Sequence, residues 1–179
     1  FGPDGSRFNL PLTISIKIGI TEELDIYRLS PAWYDRERNQ WIPIPAIIDL
    51  ENGMVLFRIA HFTDFALVEL PIRYSFADVD QDIAWARDAI EVLAGQGIIN
   101  GTGIGFEPGR YISRAEFMQL ITKALNLSGK ADSGIKFTDV KSGDWFAAAV
   151  ETAYVNEIIS GYPDNTFQPN KPITRNEIA

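Results

Sequence analysis

Apolar and polar residues alternate over the first seventy positions and fall into helical stripes after them. Leu12-Thr13-Ile14-Ser15-Ile16-Lys17-Ile18 has the period of a half-buried strand. Ala32-Trp33-Tyr34 and Trp41-Ile42-Pro43-Ile44 flank a charged run at 35–40, the pattern of a hairpin. Asn52-Gly53 tolerates positive φ and predicts a tight turn before Met54-Val55-Leu56-Phe57-Arg58-Ile59. Phe65-Ala66-Leu67-Val68-Glu69-Leu70 closes the series. Short strands with frequent turns predict a β-sandwich. After Pro71 the period changes. Ile83, Ala86, Ile90 and Leu93 fall near one helical face, widened by Trp85, Ala89 and Val92. Phe117, Leu120, Ile121, Ala124 and Leu125 share another. Helices are predicted near 82–95, 113–126 and 144–157, with a stub from 174.

The helical half repeats itself. Phe76-Ala77-Asp78-Val79 returns as Phe137-Thr138-Asp139-Val140, and Trp85 as Trp145. Gly97-Ile98-Ile99-Asn100-Gly101 returns as Glu157-Ile158-Ile159-Ser160-Gly161. Phe106-Glu107-Pro108 returns as Phe167-Gln168-Pro169, and Ile112-Ser113-Arg114-Ala115-Glu116 as Ile173-Thr174-Arg175-Asn176-Glu177. An offset of 60 or 61 throughout means two copies of one helix–loop–helix unit. Residues 128–136 read as a linker between them. The second copy stops early in its second helix, and Phe1-Gly2-Pro3-Asp4-Gly5 is a turn with nothing before it. The chain is expected to be a fragment.

Composition narrows the chemistry. The net charge is −8, with 7 basic and 10 acidic residues in 1–75 and 9 and 14 in 76–179. No basic cluster exists, which argues against nucleic acid and against an anionic membrane surface. No run of 18 apolar residues is present, so no membrane insertion is expected. The absence of cysteine removes disulfides, thiolate metal sites and cysteine nucleophiles. His61 is the single histidine, which leaves no multi-His metal site. Asp78-x-Asp80-x-Asp82 lacks the Gly and Glu of a calcium loop. No nucleophile–base pair is placed by the spacing. No enzyme activity, metal or cofactor is expected.

Residues 76–179 resemble the S-layer homology family. The resemblance rests on Phe-x-Asp-Val, the helix Trp and the Ile-Ile-x-Gly turn. It rests too on Gly161-Tyr162-Pro163-Asp164-Asn165-Thr166-Phe167-Gln168-Pro169 and on Ile-Thr-Arg-x-Glu. Residues 1–70 are similar, more weakly, to a ZU5-like β-sandwich, through Phe-Gly-Pro-Asp-Gly, Trp-Tyr-Asp, Trp-Ile-Pro-Ile-Pro and His61-Phe62-Thr63-Asp64-Phe65-Ala66. The implied fold is α+β in separate domains: a partial all-β sandwich, then all-α repeats that complete a pseudo-threefold bundle with a third copy. The boundaries are 1–70, a linker at 71–75, repeat one at 76–127, a linker at 128–136 and repeat two at 137–179. The resemblance implies a non-catalytic anchor on the outside of a bacterium, in its cell wall or S-layer. The implied partner is secondary cell-wall polysaccharide, often pyruvylated. Two other functions fit: self-association in a surface layer, and an accessory region of an extracellular enzyme with its catalytic domain upstream. Departures exist. Loop one, Gly101-Thr102-Gly103-Ile104-Gly105-Phe106, is a residue shorter and lacks Tyr-Pro-Asp, Asn165 stands where the family favours Gly, and Asn176 replaces the usual Ala.

Candidate carbohydrate-binding residues are Arg114, Arg175, Trp85, Trp145, Gly101, Gly161 and Asp164. Ser113-x-x-Glu116 and Thr174-x-x-Glu177 are capping boxes. Each Arg opens a helix, where a cation opposes the macrodipole. Two tasks explain that placement: binding a carboxylate at a helix N-terminus, or a salt bridge to the neighbouring repeat. The Trp residues suit either sugar stacking or a core seam. The Gly residues suit either close saccharide approach or a helix C-cap. Asp164 suits either a ligand contact or a turn.

Overall fold

The computed structural model describes residues 6–19, 21, 23–71, 73–127 and 137–178. The opening Phe-Gly-Pro-Asp-Gly turn and the linker at 128–136 lie outside the described residues. Among the described residues six strands come first: β1 (Arg7–Lys17), β2 (Leu29–Asp35), β3 (Gln40–Pro43), β4 (Ala46–Asp49), β5 (Met54–His61) and β6 (Phe65–Glu69). Four helices follow: α1 (Ala84–Gly95), α2 (Arg114–Ala124), α3 (Ala147–Val155) and α4 (Arg175–Ile178).

The strands form two antiparallel three-stranded sheets, ordered β1-β5-β4 and β3-β2-β6. Alternation selects the inward residues. Val55, Phe57 and Ile59 of β5 are buried together with Leu29 and Ile44, and Ile14, Ile16, Trp33, Phe65 and Leu67 pack against them. The β2–β3 turn is held by Asp35, whose carboxylate accepts the N–H groups of Glu37 and Arg38 and pairs with the Arg38 guanidinium. Those bonds, the Arg38 N–H first, hold its carboxyl below the usual range. In the β4–β5 turn Gly53 takes φ +64 and Asn52 is bound by Asp49.

The chain divides into two compact units, one running up to Pro108 and the other starting at Gly109. In the first, α1 ends in a Schellman turn: Ile98 N–H reaches Leu93 O at 2.9 Å, with Gly97 at φ +72. In the second, α2 packs against α3. Ala115, Met118, Phe137, Val140, Phe146, Val150, Ala153 and Phe167 form its core. The buried face of α2 is Ala115, Met118 and Thr122, with Phe117 and Ile121 beside it, whereas Ala124 is exposed.

The repeat half is not all-α, and the separation into a β domain and an all-α domain does not hold. Its helices have 12, 11, 9 and 4 residues, and the long connections between them are irregular. Ser113 and Pro172 form an antiparallel β-bridge, and Ile173 N–H donates to Ile112 O at 3.0 Å. The physical reason is that each connection satisfies its amides by side-chain clasps and strand-like pairing. Helix α1 moreover belongs to the same compact unit as the strands, and α2 to the other.

Candidate functional site

Each repeat closes its loop with the same clasp. In repeat one the Asp78 carboxylate accepts the N–H groups of Phe106 (3.0 Å) and Glu107 (2.7 Å). In repeat two Asp139 accepts those of Phe167 (2.8 Å) and Gln168 (2.8 Å). Glu107 and Gln168 both adopt positive φ, 58° and 57°, which turns adjacent amides toward one carboxylate. The two N–H bonds hold the Asp78 carboxyl below its ordinary value. The Phe76–Phe106 and Phe137–Phe167 ring pairs both stand 5.7 Å apart.

Gly101 and Gly161 lie under the first Phe of each pair. A Cβ at Gly101 would meet Phe76 Cε1 at 2.7 Å, and one at Gly161 would overlap Phe137. Gly161 also has φ +76, so any side chain there is strained as well as crowded. Neither glycine ends a helix, because Gly97 and Glu157 hold the positive-φ positions after α1 and α3. The loops beyond them differ by one residue. Thr102 N–H donates to Gly105 O in one, and Tyr162 N–H to Thr166 O in the other, both at 2.8 Å. Asp164 is exposed and accepts from the Thr166 hydroxyl (2.7 Å) and N–H (3.0 Å), which lowers its pKa.

The two arginines have different surroundings. Arg114 is 8% exposed. Its Nε donates to Phe167 O at 2.9 Å, and a terminal nitrogen pairs with Glu177 at 3.2 Å. Its guanidinium lies 4.9 Å from the Tyr162 ring centroid and 5.0 Å from that of Phe167. The N-terminal amides of α2 are also taken: Arg114 N–H by Lys171 O and Ala115 N–H by Pro169 O, each at 2.9 Å. Ser113 and Glu116 complete a capping box. Arg175 is exposed and makes no ion pair among the described residues. In its box the Thr174 hydroxyl donates to Glu177 instead of accepting from the helix.

Glu177 gathers donors. It accepts from the Tyr162 hydroxyl (2.7 Å), Thr174 N–H (2.9 Å), the Thr174 hydroxyl (2.8 Å) and Lys171. These, Tyr162 first, lower its pKa to about 2. A folded pKa below the ordinary 4.5 gives stability that is complete above 4.5 and is lost as pH falls toward 2. Melting temperature measured from pH 6 down to pH 2 should therefore drop less steeply in Glu177→Gln than in the unaltered chain. Identical acid limbs would remove Glu177 from the acid response.

Trp85 and Trp145 are 86% and 63% exposed, so both indoles face solvent. Among the described residues Trp145 makes one ring contact, with the edge of Phe146 at 5.3 Å. Among the same residues no His, Asp or Glu cluster is placed to hold a metal ion, and no helix is long and apolar enough to cross a membrane. Sequence reasoning gives no role to Asp78, Asp139, Tyr162 or Phe167, and places Glu177 only as a helix cap. The signal for the aspartates is present in the repeated Phe-x-Asp-Val.

The S-layer homology domain family matches residues 75–118 and 136–179. The chain is 36% identical over 167 residues to an amylopullulanase of Thermoanaerobacterium thermosulfurigenes, covering 93% of this chain and 9% of that protein. It is 34% identical over 115 residues to a surface-layer 125 kDa protein of Lysinibacillus sphaericus, covering 64% and 10%. It is 37% identical over 110 residues to a cellulosome-anchoring protein of Acetivibrio thermocellus, covering 58% and 24%. The chain thus spans a quarter or less of these relatives. The family match stops short of the strands, where the ZU5-like likeness stays a resemblance.

Proposed function

Residues 75–118 and 136–179 belong to the S-layer homology domain family, the chain is a cell-surface module of a bacterium, and from that premise we propose a non-catalytic anchor for secondary cell-wall polysaccharide. The observation that carries this reading is the pair of in-register repeats, matched in a protein named for anchoring. The amylopullulanase match fits the same role, since so small a share of a long enzyme suits an accessory region.

Within the anchor, Arg175 is the side chain we assign to a polymer carboxylate such as a pyruvyl ketal, because its guanidinium is exposed. Trp85 and Trp145 offer flat indole faces for sugar rings. Gly101, Gly161 and Asp164 shape the loops of the two repeats. Arg114 is buried, with Nε held by Phe167 O and one terminal nitrogen by Glu177, so we assign its contribution to loop position.

Two measurements test the reading. The protein should sediment with purified cell walls and remain in solution once the pyruvylated polymer is stripped from them. Equal partition with both preparations would sink the polysaccharide reading. Calorimetry with a pyruvylated wall fragment should then show Arg175→Ala weakening binding by about 10- to 150-fold, the value of one charge-assisted hydrogen bond. Unchanged affinity would take Arg175 out of the site. Assembly into a surface layer through contacts between copies is the second reading, favoured by the match to a surface-layer protein. Ordered sheets formed in the absence of wall material would support it.

A further inference from the structure

The two copies of the repeat differ most tellingly on one face of their first helix. Gln96, just past α1, binds the edge strand β4 as another strand would. Its amide oxygen accepts Ala46 N–H and its amide nitrogen donates to Ala46 O, both at 3.1 Å. One turn earlier Glu91 is 5% exposed and accepts two bonds from Arg73, at 3.1 and 2.9 Å. Arg73 in turn lies 3.9 Å from the centroid of the Tyr27 ring. The Tyr27 hydroxyl donates to Asp88 at 3.0 Å. Gly95 brings the helix so near the Tyr27 carbonyl that a Cβ would stand 3.0 Å from it.

The second repeat keeps Glu91 as Glu151 but changes the other three. At the offset of 60, Asp88, Gly95 and Gln96 become Ala148, Val155 and Asn156. Asn156 turns its amide back on its own helix, donating to Thr152 O at 2.8 Å. The first copy therefore carries polar and small groups at three positions where the second has others, and in the first copy they meet the strands.

We propose that the α1 face made by Asp88, Glu91, Gly95 and Gln96 is a dedicated docking surface for the strand module, so that strands and first helix open and close as one cooperative unit. The partner is the chain's own β4 edge together with Tyr27 and Arg73. Docking also covers that edge: Gln96 satisfies a backbone pair that would otherwise invite another strand.

Hydrogen exchange read by mass spectrometry on the whole chain tests this. Amides of 84–95 should exchange with those of β5 as one group. Gln96→Ala should speed exchange of α1 and β4 together by about tenfold, as the loss of two hydrogen bonds implies. Asn156→Ala in the second repeat should leave the strands unchanged. Tyr27→Phe, which removes only the bond to Asp88, is the milder variant and decides the matter if Gln96→Ala fails to fold. Fast exchange of α1 beside a protected β5, or α1 exchange that neither variant alters, would overturn the proposal.

Discussion

Phe167→Ala should destabilise the carboxyl-terminal unit by about 3–5 kcal/mol, the usual cost of emptying a buried phenylalanine site. Phe167 has no exposed surface. Its ring fills the space between Phe137 and the Arg114 guanidinium, at 5.7 and 5.0 Å between centres. Its carbonyl receives Arg114 Nε and its N–H goes to Asp139. Removing the ring leaves the guanidinium facing a void while both backbone bonds persist. Urea denaturation followed by Trp145 fluorescence measures the loss. Phe167→Leu should recover more than half of it, because most of the volume returns. A cost below about 1 kcal/mol for Phe167→Ala would mean that the loop collapses onto the gap and that the ring's packing is not what holds it.

The aspartate clasp has the next largest expected effect. Asp139→Ala leaves two part-buried N–H groups without an acceptor and should cost about 2–4 kcal/mol. Asp139→Asn keeps one carbonyl acceptor but turns an amide N–H₂ toward the second donor, so roughly half the loss should remain. Asp78→Ala should behave alike in the amino-terminal unit, since its two bonds match in partner spacing and length. Chemical denaturation of the variants reads this out. A neutral Asp139→Ala, or a large effect at one aspartate and none at the other, would break the equivalence of the two clasps.

Periodicity locates the strands and helices because it reports which face is buried. β4 escapes it: four residues between Pro45 and a turn, with Ile47 exposed, carry no alternation to read. The start of α1 falls two residues later than its pattern suggests, since Ile83 offers no side-chain cap. Alternation of types also misjudges α2, where Thr122 is buried by bonding back to Met118 O at 2.7 Å and Ala124 is left outside. The clasps are visible as a recurring Phe-x-Asp but have no readable purpose, because their partners lie 28 and 29 residues on. The arginines are equivalent by position and not by surroundings. What buries Arg114 is a loop that begins nearly fifty residues later, and no local rule in its own helix announces that. Exposed tryptophans on an otherwise apolar stripe are likewise a matter of packing, not of spacing.

The bridge between Ser113 and Pro172 ties the opening of one repeat's second helix to the closing loop of the next. The unit of duplication and the unit of packing are therefore out of phase. A gene that gains or loses one copy by recombination at the Phe-x-Asp-Val boundary splits a helix from the loop that caps it, and every junction must be mended by the incoming copy. Only a copy whose loop fits the cap it meets restores the bridge. For grafting the second repeat alone onto another protein, the same phase shift sets the place to cut: between Pro108 and Gly109, so that α2 travels with the loop that caps it, and not where the sequence begins to repeat.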